Sequence, residues 1–307
     1  MKSYNFLRQY LTVAASFIIL ASVLSIFISL SLITRASATT DIIKPKGLTL
    51  SPLRTEVGIT PGTSLDGVIR VTNNSTKPMD VTLTAEVFSV IDQQYDYAFT
   101  AESNVVKWVT FNHSAVSLAP GKNQDITYTV GVPLSAEPGG RYISLFASTD
   151  TGSTSSGVQS RQQVASMLYI TVLGDVSRVG HLVSLSSPWL ISGSSTWSAV
   201  LQNTGTTHYR SRYNLQINGL FLNKAVAGMS GEALILPGTV RLISNNLPAP
   251  FWPGLYKEIY MIGLGDTPAV TKIRLVLYMP IWVTILVLVL IATVIYRLFK
   301  KRLIKKD

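Results

Sequence analysis

Cysteine is absent from the 307 residues of this sequence, and charged residues make up only 14 % of it. Without cysteine the chain has no disulfide framework, no thiolate metal site and no cysteine nucleophile. Its three histidines, His113, His181 and His208, match no zinc-binding signature in their spacing. Hydrophobic residues reach 47 %, which excludes a disordered chain, since disorder requires low hydrophobicity and high charge. We therefore expect a folded protein with no metal site and no other cofactor.

The net charge of +10 is concentrated at the two ends of the chain. Residues 1–38 carry +3 and residues 297–307 carry +5, which leaves +2 for the whole of 39–296. The sequence therefore has no basic stripe of the kind that binds nucleic acid, and we expect no nucleic-acid partner. Both basic ends adjoin long hydrophobic runs, so this charge is a signal of membrane topology.

The first hydrophobic run, Leu11–Thr34, is long enough to cross a bilayer, which needs about 20 apolar residues. Basic residues precede the run, and Ala36-Ser37-Ala38 follows it with the small-x-small pattern that signal peptidase reads. Residues 1–38 are therefore predicted to be a signal peptide, with Ala36 and Ala38 directing cleavage after Ala38. The alternative is an uncleaved signal anchor, which would add a second, N-terminal membrane span.

The second hydrophobic run, Leu275–Tyr296, contains 22 residues, or about 33 Å if it is helical. Basic residues follow it at once in the tail 297–307: Arg297, Lys300, Lys301, Arg302, Lys305 and Lys306. The positive-inside rule places this tail in the cytoplasm. The sequence thus predicts a cell-membrane protein with a single transmembrane helix at 275–296 and residues 39–274 outside the cytoplasm.

Between the two runs the periodicity is that of β-strands. Segments such as Val81–Val87 and Met167–Val172 alternate apolar and polar residues, and clusters of Gly, Pro, Asn and Ser separate them at short intervals. We expect an all-β fold of two tandem immunoglobulin-like β-sandwiches, 41–175 and 180–272, each near the usual size of about 100 residues. The predicted N-terminal signal or anchor helix and the C-terminal transmembrane helix flank them.

The two predicted sandwiches also repeat a pattern. An Asn-rich turn at Asn73 and a Pro-Gly turn at Pro120-Gly121 in the first are echoed by Asn203 and Pro237-Gly238 in the second. Proline presets the first dihedral angle of such a turn and glycine supplies a positive φ, so the motif has a physical basis. The repeat favours two domains of one fold.

Several short motifs resemble those of a known family. They are the strand containing Ser51-Pro52, the Pro61-Gly62 turn before Val71-x-Asn73, the Leu118-x-Pro120-Gly121 turn, and Val132-Pro133 followed by Pro138-Gly139-Gly140-x-Tyr142. With the order of signal, two sandwiches, one C-terminal helix and basic tail, they resemble the WxL-interacting surface proteins of Gram-positive bacteria. The first sandwich is also similar to that of periplasmic pilus chaperones. The resemblance implies a membrane-anchored, non-enzymatic protein that binds peptidoglycan, another cell-wall polymer or other envelope proteins.

Two other functions stay open at this point. One is an accessory subunit of a membrane transport or secretion complex. The other is an aspartic protease, because Asp150-Thr151-Gly152-Ser153 has the form of a catalytic tetrapeptide. Such an enzyme needs two carboxylates that share a proton. The nearest second motif, Asp266-Thr267-Pro268, lacks the glycine, so a homodimer would have to supply two copies of Asp150. Because 148–160 is nearly all Ser, Thr and Gly, a polar hairpin loop is the favoured interpretation, and we expect no catalytic residues.

Two places are candidates for binding a partner. The strand around Leu48–Val57, with Thr49 and Leu50, is predicted to lie at a sheet edge, because Pro52 lacks the N–H that a central strand needs. Partners would add to this edge or bind the nearby 148–160 loop. The second candidate is the proline-stiffened turn 248–253, where Phe251 and Trp252 would contact a partner or lipid headgroups. Trp108, Trp189, Trp197 and Trp252 are otherwise expected to pack in the sandwich cores.

Overall fold

The structure, a computed structural model, describes residues 46–153, 159–221 and 224–304, with side chains omitted at 150–153, 159–160 and 298–304. The predicted cleavage site at Ala36 and Ala38 and the tail residues Lys305 and Lys306 lie outside the described residues. The chain divides into two units: Pro45–Pro280 is one, and the helical segment that begins at Ile281 belongs to the other.

Ten strands build the first sandwich. In chain order they are β1 (Leu48–Ser51), β2 (Arg54–Ile59), β3 (Ser64–Asn73), β4 (Met79–Val90), β5 (Tyr97–Thr100), β6 (Val109–Phe111), β7 (Ala115–Leu118), β8 (Asn123–Gly131), β9 (Gly139–Ser153) and β10 (Gln159–Val172). One sheet has the order β1-β3-β8-β6, and the other has the order β2-β10-β9-β4-β5, with β7 also paired to β4. This is the strand order of an immunoglobulin-like sandwich. Its first strand is divided between the two sheets at Pro52.

The alternation of side chains explains why these segments are strands with one buried face. In β4, Val81 and Leu83 are buried while Thr82 between them is exposed, as a period of two requires. The interior is filled from both sheets by large aliphatic residues that are fully buried: Leu48, Ile69, Ile126, Ile143, Leu145, Leu168 and Ile170. Each such side chain contributes about 1.5–3 kcal/mol to stability through its burial.

Eight strands build the second sandwich. They are β11 (Gly180–Ser186), β12 (Leu190–Ile191), β13 (Ser195–Asn203), β14 (Tyr209–Gly219), β15 (Ala225–Ile235), β16 (Val240–Leu247), β17 (Gly254–Leu264) and β18 (Thr267–Tyr278). The sheets have the orders β11-β13-β16 and β12-β18-β17-β14-β15. Trp197 and Tyr260 are the largest fully buried side chains, with ring centroids 6.0 Å apart. The prediction of two immunoglobulin-like β-sandwiches is confirmed by these strand orders.

The repeated Asn and Pro-Gly motifs occupy equivalent places in the two sandwiches. Asn73 ends β3 and Asn203 ends β13, and both side chains are fully buried. Gly121 (φ +69°) and Gly238 (φ +71°) occupy the left-handed region in the turns beside them, which residues with a Cβ rarely adopt. The amides of these glycines donate to the backbone oxygens of Asn73 and Asn203, respectively, both at 2.9 Å. The sequence repeat therefore reflects one local structure built twice.

The C-terminal segment differs from its prediction in where it begins. Residues 275–278 of the predicted helical run belong to β18, so the second sandwich extends beyond residue 272, and the helix α1 spans Ile281–Ile304, directly after Pro280. Among the described residues, none of the helices combines the length and the apolar character needed to traverse a lipid bilayer.

Candidate binding cleft between the two sandwiches

The predicted edge strand is found at two sheet edges. β1 is the outermost strand of one sheet and β2 is the outermost strand of the other, as expected from Pro52 between them. Leu50, however, is buried in the core, and the Thr49 hydroxyl accepts a hydrogen bond from Asn74 Nδ2 at 3.0 Å. A partner at β1 would therefore meet backbone groups rather than the Leu50 side chain.

The second predicted pair, Phe251 and Trp252, lies in the loop between β16 and β17 and is highly exposed. This loop lies at the end of the second sandwich that is remote from the first, since β17 begins beside it. β1 pairs with the end of β3 that is remote from the second sandwich. The two predicted binding places thus lie at opposite ends of the unit Pro45–Pro280 and do not form one site.

The protease alternative has no support in the arrangement of its carboxylates. Asp150 lies on β9 opposite Arg161 of β10, so residues 148–153 and 159–160 of the predicted loop belong to paired strands. Gly140, ten residues before Asp150, donates its amide to the Thr206 oxygen of the second sandwich. Asp266 accepts a hydrogen bond from the Arg178 amide close to this junction. At about 3.3 Å per strand residue, Asp150 is about 30 Å from the junction, too far to share a proton with Asp266.

An aromatic cluster joins the two sandwiches. Phe88, Tyr95 and Tyr169 of the first pack with Leu234 and Leu236 of the second, and all five are buried. The Tyr95 hydroxyl accepts a hydrogen bond from the Leu236 amide (2.8 Å) and forms another with the Thr239 hydroxyl (2.7 Å). Tyr95 has a φ of +74°, which is uncommon for a residue with a side chain. This backbone conformation directs the ring into the second sandwich.

Ion pairs lie beside this cluster. The carboxylate of Glu56 on β2 accepts from Arg210 of β14 at 2.6 Å and also pairs with Arg54. Arg210 in turn pairs with Glu232 of β15, and the Arg54 guanidinium lies 4.6 Å from the centre of the Tyr169 ring. The pair between Glu56 and Arg210 links the first sandwich to the second.

His208 completes the junction. It is buried between Tyr142 and Tyr169, with ring centroids 5.6 and 5.5 Å away, and its Nδ1 lies 3.3 Å from the Tyr142 hydroxyl. Burial lowers the pKa of His208 to about 4, with the charge of Glu56 opposing and nearby arginines reinforcing this effect. The imidazole is therefore neutral at physiological pH.

Burial and the charged neighbours of Glu56 shift its pKa in opposite directions. Partial burial raises the pKa of its carboxyl, but the hydrogen bonds and charges of Arg210 and Arg54 outweigh burial, and the pKa is lowered overall. The carboxylate is thus held ionised between two cations. Burial likewise raises the pKa of the Tyr142 and Tyr169 hydroxyls, so both stay protonated and the junction carries no unpaired tyrosinate.

A cleft of about 450 Å³ lies between the sandwiches next to these residues. Glu56, Val57 and Gly58 of β2 form one wall. The opposite wall comes from the second sandwich and the linker before it, and its polar residues are Arg178, His208, Arg210 and Asp266. Within the described ranges 46–153, 159–221 and 224–304, no group of three metal-ligating side chains is gathered. The lining of the cleft therefore combines the backbone of β2 with charged side chains from both walls.

Sequence reasoning missed the residues of this junction. Glu56 and Arg210 are separated by 154 positions, and Tyr95 and Leu236 by 141, so no local pattern pairs them. Of the four tryptophans expected in the cores, Trp197 is buried, but Trp189 and Trp252 are exposed.

No family model matches the sequence, and no curated protein shows significant sequence similarity to it. The resemblance to WxL-interacting proteins therefore stays a prediction. Solved structures that resemble the fold include the class 5 fimbriae chaperone CfaA, which is 11% identical over 76% of this chain and 100% of its own, with a TM-score of 0.40. The CsuC–CsuE chaperone–tip adhesion subunit complex of Acinetobacter baumannii matches with 12% identity over 76% of this chain and 99% of that one (TM-score 0.38). A PapD-like domain of human CEP192 matches with 10% identity over 44% of this chain and 96% of that one (TM-score 0.28).

These neighbours are pilus chaperones and PapD-like domains with immunoglobulin-like folds. At such identities and TM-scores, neither their partners nor their activities are transferred to this protein. Its immunoglobulin-like fold is established by the strand orders given above.

Proposed function

We propose that this protein is a non-enzymatic component of a bacterial cell envelope. Anchored in the membrane by its C-terminal segment, it binds an extended segment of another envelope protein in the cleft between its sandwiches. The observation that carries the proposal is the position of β2, which is both the outermost strand of its sheet and a wall of the cleft. A strand with one unpaired side offers N–H and C=O groups to an added strand.

The junction beside the cleft supports this proposal through preorganisation. Tyr95, Glu56 and His208 each contact residues of the other sandwich. A cleft whose two walls are already held in place loses less conformational freedom when a ligand enters. The charges of Arg178 and Asp266 on the far wall would select among segments that fit the edge of β2.

Anchoring is supported by the sequence and by the surface of α1. Ile281–Tyr296 contains sixteen residues before the first basic side chain, and large apolar residues such as Leu288 and Leu290 are exposed along it. As a helix it measures about 24 Å, against about 30 Å for a hydrocarbon core. Basic residues that snorkel from the tail, together with local thinning of the bilayer, accommodate such a difference. We place the tail in the cytoplasm, and the sandwiches outside after cleavage at Ala38.

Site-specific photo-crosslinking in cells tests the binding site. A benzophenone amino acid at Val57, in the cleft wall, is expected to give adducts with an envelope component, which mass spectrometry identifies. The matched control is the same probe at Val68, an exposed position of β3, where no adduct is expected. The charge reversal Arg178→Glu should lower the yield at Val57. Equal adducts at both positions, or adducts with peptidoglycan alone, would contradict binding of an extended protein segment at β2.

Protease added to intact cells tests the anchoring independently of any partner. Sites within 39–274 should be cut, and an epitope tag added after residue 307 should stay protected. Digestion of the tag in intact cells would show that the proposed orientation is wrong.

A further inference from the structure

The end of the second sandwich that is remote from the first carries exposed aromatic residues on three separate loops. Trp189 lies between β11 and β12, Phe221 follows β14, and Phe251 and Trp252 precede β17. Their exposed fractions are 70%, 92%, 83% and 68%, respectively. Single exposed apolar side chains are ordinary, but large aromatic residues gathered on one end mark an interaction surface. We refer to these four residues as the aromatic end.

The strand pairing shows that these loops share one end. β14 finishes at Gly219 opposite Tyr256 near the start of β17, and Gly254 pairs with Tyr278 at the finish of β18. β12 runs parallel to β18, with Leu190 opposite Leu277. The opposite end of the same sheet carries His208 and Leu236, which contact the first sandwich. The four residues of the aromatic end therefore lie at the end of the second sandwich that does not contact the first.

Local hydrogen bonds hold the loops in place. The Tyr256 hydroxyl donates to the Trp252 oxygen at 2.6 Å, and the Phe251 and Trp252 rings meet edge to face at 5.2 Å. The Leu277 amide donates to the Trp189 oxygen at 2.7 Å. The rings of Trp189, Phe251 and Trp252 are thus presented by a hydrogen-bonded backbone, which reduces the entropy lost when they contact a partner.

We infer that the aromatic end lies in the membrane interface, with its rings at the level of the phospholipid headgroups. This inference rests on the membrane anchoring proposed above. Ile281, the first residue of α1, follows Tyr278 by three positions, at most about 11 Å of extended chain. An anchored α1 would therefore hold this end of the sandwich close to the bilayer surface.

The composition of the aromatic end favours lipid over a protein partner. Tryptophan prefers the headgroup region, where its ring is in an apolar layer and its N–H meets water. The segments 187–194, 219–225, 248–253 and 279–280 contain no acidic residue, and Lys224 is their one charge. No negative charge in these segments would repel an anionic bilayer surface. The rings would add apolar contact with the membrane to that of the short apolar part of α1.

The absence of cysteine allows a direct depth measurement on the full chain. Single cysteines replace Trp189, Phe221 or Phe251, and each is spin-labelled after reconstitution into vesicles of phosphatidylcholine with a quarter of phosphatidylglycerol. Leu134→Cys, at an exposed site of the first sandwich, is the aqueous control, and Leu288→Cys in α1 reports on anchoring. Oxygen, which partitions into lipid, and a water-soluble nickel chelate give an accessibility ratio for each label. Unchanged urea midpoints confirm that each variant is folded.

The expected result is a several-fold higher oxygen-to-nickel ratio at all three loop sites than at Leu134, and a higher ratio still at Leu288. Loop labels that match Leu134 while Leu288 is deep would overturn the inference and leave the anchoring intact. Loop labels shielded from both reagents would also overturn it, because a protein contact would then cover the aromatic end. A Leu288 label as exposed to nickel as Leu134 would refute the anchoring itself, and the inference with it.

Discussion

His208 makes the junction sensitive to acid at the scale of a single residue. In the unfolded chain this imidazole takes up a proton near its ordinary pKa of 6.5, whereas in the folded protein burial lowers its pKa to about 4. Between these values the unfolded state binds more protons, so the free energy of unfolding falls as the pH drops from 6.5 to 4. The loss attributable to His208 is about 2–3 kcal/mol.

The substitution His208→Gln should remove this part of the pH dependence. Urea unfolding of the detergent-solubilised full chain at pH 7, 5.5 and 4.5 measures it. The expected outcome is a flatter profile than that of the unsubstituted protein, whereas the control His181→Gln, at an exposed histidine, should keep the original slope. Parallel profiles for His208→Gln and the unsubstituted protein would contradict the neutral, buried state of His208.

Tyr95 and Tyr209 make a matched pair of hydroxyl deletions. Tyr95→Phe leaves the buried Leu236 amide without its acceptor and should destabilise the unit by about 1–3 kcal/mol. Tyr209 has a buried hydroxyl without a hydrogen-bond partner, so Tyr209→Phe should be neutral or slightly stabilising. Urea midpoints measure the stability of the two variants. Equal losses of stability would argue against the Tyr95 hydrogen bond as a link between the sandwiches.

At the scale of elements, the two buried asparagines act as clamps between strand ends and turns. Asn203 Nδ2 donates to the oxygens of Ile235 (2.8 Å) and Thr207 (3.0 Å). Asn73 Nδ2 donates equivalently to Leu118 (3.0 Å) and Lys77 (2.8 Å). Each amide therefore satisfies carbonyl groups that would otherwise be buried without a donor.

Replacing the clamp by aspartate should destabilise one sandwich at a time. Asn203→Asp places carboxylate oxygens against two carbonyl oxygens and should cost about 3 kcal/mol or more, with Gln202→Ala as the neighbouring control. Asn73→Asp should do the same in the first sandwich. Hydrogen exchange resolved by peptide should show faster exchange mainly in β13–β16 for the first variant and mainly in β3–β8 for the second. Uniformly faster exchange in both sandwiches would contradict two separate clamps.

The same residues show what the sequence can predict at this scale. Asn73, Asn203 and the Pro-Gly turns mark strand ends and turns, and their order repeats in the sequence, so this pattern identified both sandwiches. The predicted second sandwich ends at residue 272, before the observed end of β18, because Leu275–Tyr278 are as apolar as the helix that follows. Hydrophobicity alone cannot separate a buried strand end from the start of an apolar helix.

At the scale of the whole molecule, function depends on contacts between distant residues. The cleft exists because Glu56, Tyr95 and His208 meet residues of the other sandwich, and none of these pairings leaves a signal in one sequence. The prediction that Trp189 and Trp252 pack in the cores is wrong for a related reason. Residue type shows that a side chain is large and apolar, but not whether it lies in the core or on an exposed loop. The fold was predictable from the sequence, whereas the position of the cleft between the sandwiches was not.

Binding at β2 as proposed requires the two sandwiches to form one fixed body with a preformed cleft. Because the chain lacks cysteine, spin labels at Leu65→Cys in β3 and Val226→Cys in β15, both exposed, report the distance between the sandwiches by pulsed electron resonance. We predict a single narrow distance distribution in the otherwise unchanged protein, which broadens when Glu56→Gln and Tyr95→Ala are added together. A broad or multiple distribution before those substitutions would contradict a preformed cleft.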